Sequence, residues 1–162
     1  MAYVTPGTVA AGDVATAAAW NVITNDVIAL AVPPTCVMTF TGLTFNNTAG
    51  DLNPTFTEVV DNDSMHTTGA NNARITINTA GIYIVTHNVI GTAGASTSHE
   101  ASIFKNGTQV ATQRFLTASG TPGASVTYID SFAVTDYVTS FGNNNGTATL
   151  RGNFSAVMIG RT

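Results

Sequence analysis

The side chains able to carry acid–base or metal chemistry concentrate around residues 58–66. Glu58, the run D-N-D-S at 61–64 and His66 bring three carboxylates and an imidazole together in the sequence, with Asp51 a little earlier. The run has the acidic start of a cation-binding loop, but it lacks the glycine and the distant bidentate Glu of an EF-hand. Paired carboxylates hydrolyse glycosidic bonds only at a separation that the fold must set. Solvated loop acids are therefore the preferred interpretation.

The remaining reactive side chains give no catalytic pattern. His87 alternates with apolar residues, which indicates a structural histidine, and His99-Glu100 is not part of an H-E-x-x-H helix. Cys36 is the only cysteine, so it can form no intramolecular disulfide, and a buried neutral thiol is expected. The chain has no G-x-S-x-G elbow, phosphate-binding loop or dinucleotide fingerprint. We predict that it is not an enzyme and uses no cofactor or metal.

The composition excludes two further classes of function. Charged residues make up 9% of the 162 residues, against about 25% in an average domain. Five Lys and Arg in a chain of net charge −4 cannot form a nucleic-acid-binding stripe. No apolar run reaches the length of about 18–20 residues that membrane insertion requires, and the first residues do not resemble a signal peptide. Abundant Thr, Asn, Ser and Gly favour strands and turns.

Residues 1–34 differ from the rest because they contain the only predicted helix. Thr16 is a candidate N-cap, alanines follow it, and Pro33-Pro34 end the helix. The spacing of three, four and three places one apolar stripe along it: Trp20, Ile23, Val27 and Leu30. A helix this short is marginal alone, so the stripe either packs on its own domain or docks onto a partner.

From residue 35 to residue 162 the pattern is all-β. Alternating residues predict strands within 37–45, 73–91, 101–115, 125–141 and 147–160. Turns are predicted at 79–81, at Asn106-Gly107, which tolerates the positive φ of a type I′ turn, and near 135–136. About eight short strands indicate a sandwich, a jelly roll or a barrel.

Four segments resemble the C1q/TNF-like jelly-roll family in order and spacing. They are G-I-Y-I-V at 81–85, K-N-G at 105–107, T-D-Y-V at 135–138 and F-S-A-V-M-I at 154–159. Thr135 and Ala156 replace glycines of the family pattern. The resemblance implies an all-β, C1q/TNF-like jelly-roll β-sandwich, here preceded by a short N-terminal helical anchor, and a homotrimer.

The strand at 82–89 is apolar on both faces, which also favours trimerisation. We place Ile84 and Phe154 in the core and Tyr83 and Val85 at the trimer interface.

The leader resembles that of small tailed-phage virion proteins. The resemblance rests on three segments: A-G-D-V at 11–14, T-A-A-A-W-N at 16–21 and Asn25-Asp26. The resemblance implies a bacteriophage structural protein, made in the host cytoplasm and located in the virion. Residues 1–34 would attach it to a capsid, as a decoration or head fibre, or to a tail-fibre tip. The stripe led by Trp20 would be the virion attachment site.

A host-surface carbohydrate- or receptor-binding module is the alternative function, with a glycan-degrading enzyme as a third. Asparagine-rich loops supply candidate glycan contacts, although ordinary turn formation is the preferred explanation of these residues: Asn46, Asn47, Asn71, Asn72, Asn143 and Asn144.

Overall fold

Two antiparallel sheets make up the part of the chain that the computed structural model describes, residues 32–44, 56–69, 71–93, 98–116, 123–144 and 149–161. The strands are β1 (Thr35–Thr44), β2 (Thr57–Asp61), β3 (Arg74–Thr76), β4 (Gly81–Ala93), β5 (Ser98–Lys105), β6 (Thr108–Leu116), β7 (Gly123–Phe132), β8 (Tyr137–Asn144) and β9 (Thr149–Gly160). The predicted helix within 1–34 lies outside the described residues. None of the described residues forms a helix long and apolar enough to cross a membrane.

The strand order is that of a jelly-roll sandwich. One sheet has the order β2-β1-β9-β4-β7 and the other has the order β3-β8-β5-β6. The predicted strands are confirmed, and β2, which the pattern did not predict, pairs with the outer edge of β1. Only β1–β2 and β5–β6 are consecutive strands that pair within one sheet; every other connection crosses between the sheets, so most strand pairs join segments far apart in sequence. Of the three architectures that the sequence left open, the sandwich with jelly-roll strand order is the one formed.

The core lies between the sheets and is filled by alternate residues of each strand. Phe154 and Met38 are fully buried from one sheet, and Ile75, Ile103 and Val138 from the other. The Cys36 thiol is also fully buried, and burial, reinforced by Asp61 and Glu58, raises its pKa to about 12. The expected burial of the thiol is therefore confirmed.

The facing of β4 is the reverse of the prediction. Tyr83 and Val85 are fully buried between the sheets, and the Tyr83 hydroxyl donates to the Thr79 carbonyl at 2.7 Å. Ile82 and Ile84 are partly exposed on the other face. Tyr83 and Val85 thus form core, and they cannot present side chains to a neighbouring subunit.

Gly152 of β9 allows the close approach of β4 and β9, because a Cβ at that position would meet the Asn88 carbonyl oxygen at 1.9 Å.

Two of the family-like segments meet at one end of the sandwich. Asn106 and Gly107 have φ of 51° and 81°, which suits the predicted type I′ turn. The Asn106 side chain donates to Asp136 Oδ1 at 2.8 Å and accepts from the Tyr137 amide at 2.9 Å. The β5–β6 hairpin is therefore bound to the turn that precedes β8.

The single lysine extends this connection to the other sheet. Lys105 Nζ donates to Asp130 Oδ2 at 2.7 Å and lies 4.3 Å from the centre of the Phe132 ring. Asp130 also accepts the Tyr128 hydroxyl at 2.6 Å. Donation first from Lys105 and then from Tyr128 lowers the pKa of Asp130 to about 2. Lys105 Nζ also lies 3.9 Å from Asp136 Oδ2, so two ion pairs and one cation–π contact meet at this end of the sandwich.

Replacing Thr135 by Gly should stabilise the domain. Thr135 has φ of 76° at the third position of the turn 133–136, a value that favours glycine and strains a β-branched residue. Strain of about 1–3 kcal/mol exceeds the added entropy cost of glycine, about 0.5–1 kcal/mol, so a net gain of about 1 kcal/mol is expected. Thermal melting measures it as a rise of a few degrees. Thr108→Gly, in a strand without positive φ, is the control and should lower the melting temperature.

Candidate functional site

The acidic loop at 61–66 is hydrogen-bonded to itself. Asp61 Oδ1 accepts the Met65 amide at 2.9 Å, and Asp61 Oδ2 accepts the His66 amide at 2.8 Å. His66 lies between Glu58 Oε2, 3.2 Å from its Nδ1, and the Asn72 carbonyl, 2.8 Å from its Nε2. The Asp61 carboxylate therefore caps the turn. Among the described ranges, no three His, Cys, Asp or Glu side chains are grouped to hold a metal ion.

The asparagines proposed as glycan contacts have different environments. Asn71 forms a turn with φ of 71°, and its carbonyl accepts the Arg74 amide. Asn72 accepts the Phe56 amide through Oδ1 at 2.7 Å. Asn143 and Asn144 end β8, opposite Glu100 and His99 of β5. Glycan binding by these residues stays a prediction. Asn46 and Asn47 lie outside the described residues, as does the proposed attachment stripe: Trp20, Ile23, Val27 and Leu30.

The most distinctive surface is the outer face of the five-stranded sheet. Three rows of register partners cross β1, β9, β4 and β7 on this face. We call these twelve residues the central grid: Thr35, Val157, Ile84 and Ile129; Val37, Ser155, Thr86 and Thr127; Thr39, Asn153, Asn88 and Ser125. All of them are at least partly exposed in the single chain, and none carries an ionisable side chain.

The three rows of the central grid differ in chemistry. The first presents an apolar band, in which Ile84 pairs with both Val157 and Ile129, the last being 56% exposed. In the second, the hydroxyls of Thr86 and Ser155 are 2.7 Å apart. In the third, the Asn88 side chain donates to Asn153 Oδ1 at 2.6 Å. An uncharged face with its polar groups already paired can be covered by another protein surface at little desolvation cost.

An open depression of about 370 Å³ lies at the amide end of the central grid. Asn88, Asn153 and Ser125 line it together with Ile90 and neighbouring β7 residues. Sequence reasoning missed this face because it assigned Ile84 to the core. The signal was present, since Thr86 and Asn88 follow Ile84 at alternate positions and are unsuited to an apolar interior.

Comparison with protein-family models and with curated protein sequences gave no match. Solved structures do match. The globular domain of zebrafish complement 1qA aligns with a TM-score of 0.59 and 12% identity over 80% of this chain and 99% of that one. Murine APRIL aligns with a TM-score of 0.55 and 9% identity, over 77% of this chain and 99% of that one.

The vertex protein P5 of the phage PRD1 aligns with a TM-score of 0.61 and 15% identity, over 78% of this chain and 96% of that chain. At these identities the likeness concerns the fold. The described part of this chain is thus a C1q/TNF-like jelly roll, a fold that it shares with a phage vertex protein.

Proposed function

We propose that this protein is a non-enzymatic structural component of a bacteriophage virion. The observation that carries the proposal is the match to the PRD1 vertex protein P5 along nearly the whole of that chain. The self-contained acidic loop, whose main carboxylate serves to cap a turn, also favours a structural role. Within the virion, attachment to the capsid as a decoration or head fibre is preferred to a tail-fibre tip, because no long shaft separates 1–34 from the β domain.

The functional unit of this proposal is a homotrimer that uses the central grid. A closed ring of three copies needs two different surfaces that fit each other. The apolar band at Ile84 supplies one. Phe115 and Leu116 at the end of the edge strand β6 are 49% and 70% exposed and supply apolar area for the second. Burial of large apolar side chains contributes about 1.5–3 kcal/mol each, so a few such contacts per interface hold a trimer at micromolar concentration.

Light scattering of the purified chain tests the trimer. The measured mass of the wild type should be about three times the mass of one chain. Ile84→Lys places a charge in the centre of the band and should give a folded monomer, because an unpaired charge resists desolvation. Thr108→Lys on the other sheet is the control and should stay trimeric. A wild type that is monomeric at micromolar concentration, or an Ile84→Lys variant that stays trimeric, would contradict the proposal.

Attachment is tested on particles. Deletion of residues 1–34 should leave a β domain that still forms trimers but no longer copurifies with virions. Trp20→Ala should weaken incorporation without changing the melting temperature, because an aromatic anchor acts mainly when a partner buries it. Unfolding of the truncated chain would assign 1–34 to the domain core. If the truncated chain is incorporated into virions normally, attachment must be a property of the β domain.

A further inference from the structure

The outer face of the four-stranded sheet carries a second organised surface, opposite the central grid. Phe104 on β5 and Phe141 on β8 form an edge-to-face pair with ring centroids 4.4 Å apart. The residues that precede them, Ile103 and Ser140, are fully buried, so alternation places both aromatic rings on the outside. Both rings are partly exposed in the described structure. Two aromatic side chains therefore form a small apolar platform on a sheet face that faces away from the core.

A fixed carboxylate lies beside this platform. Glu100 is two positions before Ser102, and Ser102 is the register partner of Phe141. Glu100 Oε1 accepts the Ser102 hydroxyl at 3.1 Å and the Thr112 hydroxyl at 3.3 Å. Gln109 Nε2 also donates to the Ser102 hydroxyl, at 3.3 Å. One oxygen of the carboxylate is thus anchored, and Oε2 has no hydrogen bond within the described ranges.

We propose that this face binds a neutral sugar ring that packs against the Phe104–Phe141 pair and is hydrogen-bonded to Glu100 and Gln109. The C–H faces of a pyranose pack on aromatic rings, and neighbouring hydroxyls donate to a carboxylate. A carboxylate that is held in place before binding loses little entropy on binding. The inference adds a ligand to the proposed structural role and does not rest on it.

Other ligand classes fit this surface less well. Nucleic acid would need several phosphate-binding cations, whereas the whole chain has five Lys and Arg. An anionic sugar would meet the Glu100 carboxylate beside the platform and be repelled, while Arg114, the register partner of Glu100, donates to the Ser98 hydroxyl. A neutral hexose or N-acetylhexosamine satisfies both the platform and the carboxylate.

The test is binding to a printed array of neutral oligosaccharides of glucose, galactose, mannose and N-acetylhexosamines, followed by calorimetric titration of the best-bound one. The wild type should bind at least one of them. Phe104→Ala and Glu100→Gln should each weaken that binding tenfold or more. Glu100→Gln conserves the shape of the side chain, so it tests the carboxylate even if Phe104→Ala fails to fold. Thr108→Lys, at the end of β6, is the matched control and should bind as the wild type does.

Two outcomes would overturn the inference: no neutral oligosaccharide bound by the wild type, or binding that Glu100→Gln leaves unchanged. Light scattering of the same samples separates this result from the structural role. A trimeric Glu100→Gln variant that loses the sugar supports the site, whereas a trimeric wild type that binds no sugar removes the site and leaves the proposed function intact.

Discussion

Phe154→Asp should leave no folded domain at room temperature. Phe154 is fully buried, and its ring centroid lies 5.8 Å from those of both Phe56 and His87. Truncation of a buried Phe costs about 3–5 kcal/mol. An unpaired buried carboxylate adds several more, which together match the total stability of about 5–15 kcal/mol of a typical domain. Circular dichroism should show no cooperative thermal transition.

A control on the same strand separates the effect of burying a charge from the effect of placing Asp in a strand. Ile159 is 54% exposed, so the free energy of unfolding of Ile159→Asp should be within about 1 kcal/mol of the wild-type value. Ile84→Asp should also fold, since Ile84 is partly exposed on the central grid, and its effect should appear in the oligomeric state. A cooperative transition for Phe154→Asp near that of the wild type would contradict the burial of Phe154 between the sheets.

Local patterns in the sequence predicted much of the sandwich. The turn at Asn106-Gly107 depends on two adjacent residues that tolerate positive φ, and both adopt it. The alternation in 37–45 placed Met38 and Phe40 on one face, and both are buried. Such features need only neighbouring residues, so they can be predicted without knowledge of the partner strands.

The facing of β4 required information that alternation alone does not contain. Odd and even positions are both apolar from Ile82 to Val85, so either set fits a core. The choice depends on the other sheet and on a carbonyl that accepts the Tyr83 hydroxyl. His87 lies at an odd position, as Tyr83 and Val85 do, and is buried with them between the sheets.

Strand β2 was missed for a different reason. Its sequence T-E-V-V-D has little alternation, and most of it is exposed, with Val59 at 59% and Val60 at 44%. It is ordered by pairing with β1, including Cys36 opposite Asp61, and by the hydrogen bonds of the Asp61 turn. An edge strand of this kind is specified by its partner more than by its own residues.

Lowering the pH from about 6.5 to 4 should destabilise the domain by roughly 3 kcal/mol. His87 is fully buried between Phe40 and Phe154, and within the described residues its only polar contact is the Ser102 carbonyl, 3.3 Å from Nδ1. Burial lowers its pKa to about 4, although the Ser102 carbonyl raises it slightly. Between the two pKa values the unfolded chain binds more protons, so the free energy of unfolding decreases as the pH falls. A shift of about 2.5 pKa units, at 1.36 kcal/mol each, gives the magnitude.

His99 acts in the same direction, because burial also lowers its pKa and its ring nitrogens have no hydrogen-bond partner in the described ranges. Asp130 does not contribute in this window, since its pKa is shifted from 3.8 down to about 2 and its effect begins at lower pH. Urea unfolding at several pH values measures the slope. His87→Leu should flatten it between pH 6.5 and 4, and His99→Leu should remove the remainder. A wild-type stability that is constant across this range would show that the buried imidazoles gain compensating contacts when they are protonated, which the apolar surroundings of His87 make unfavourable.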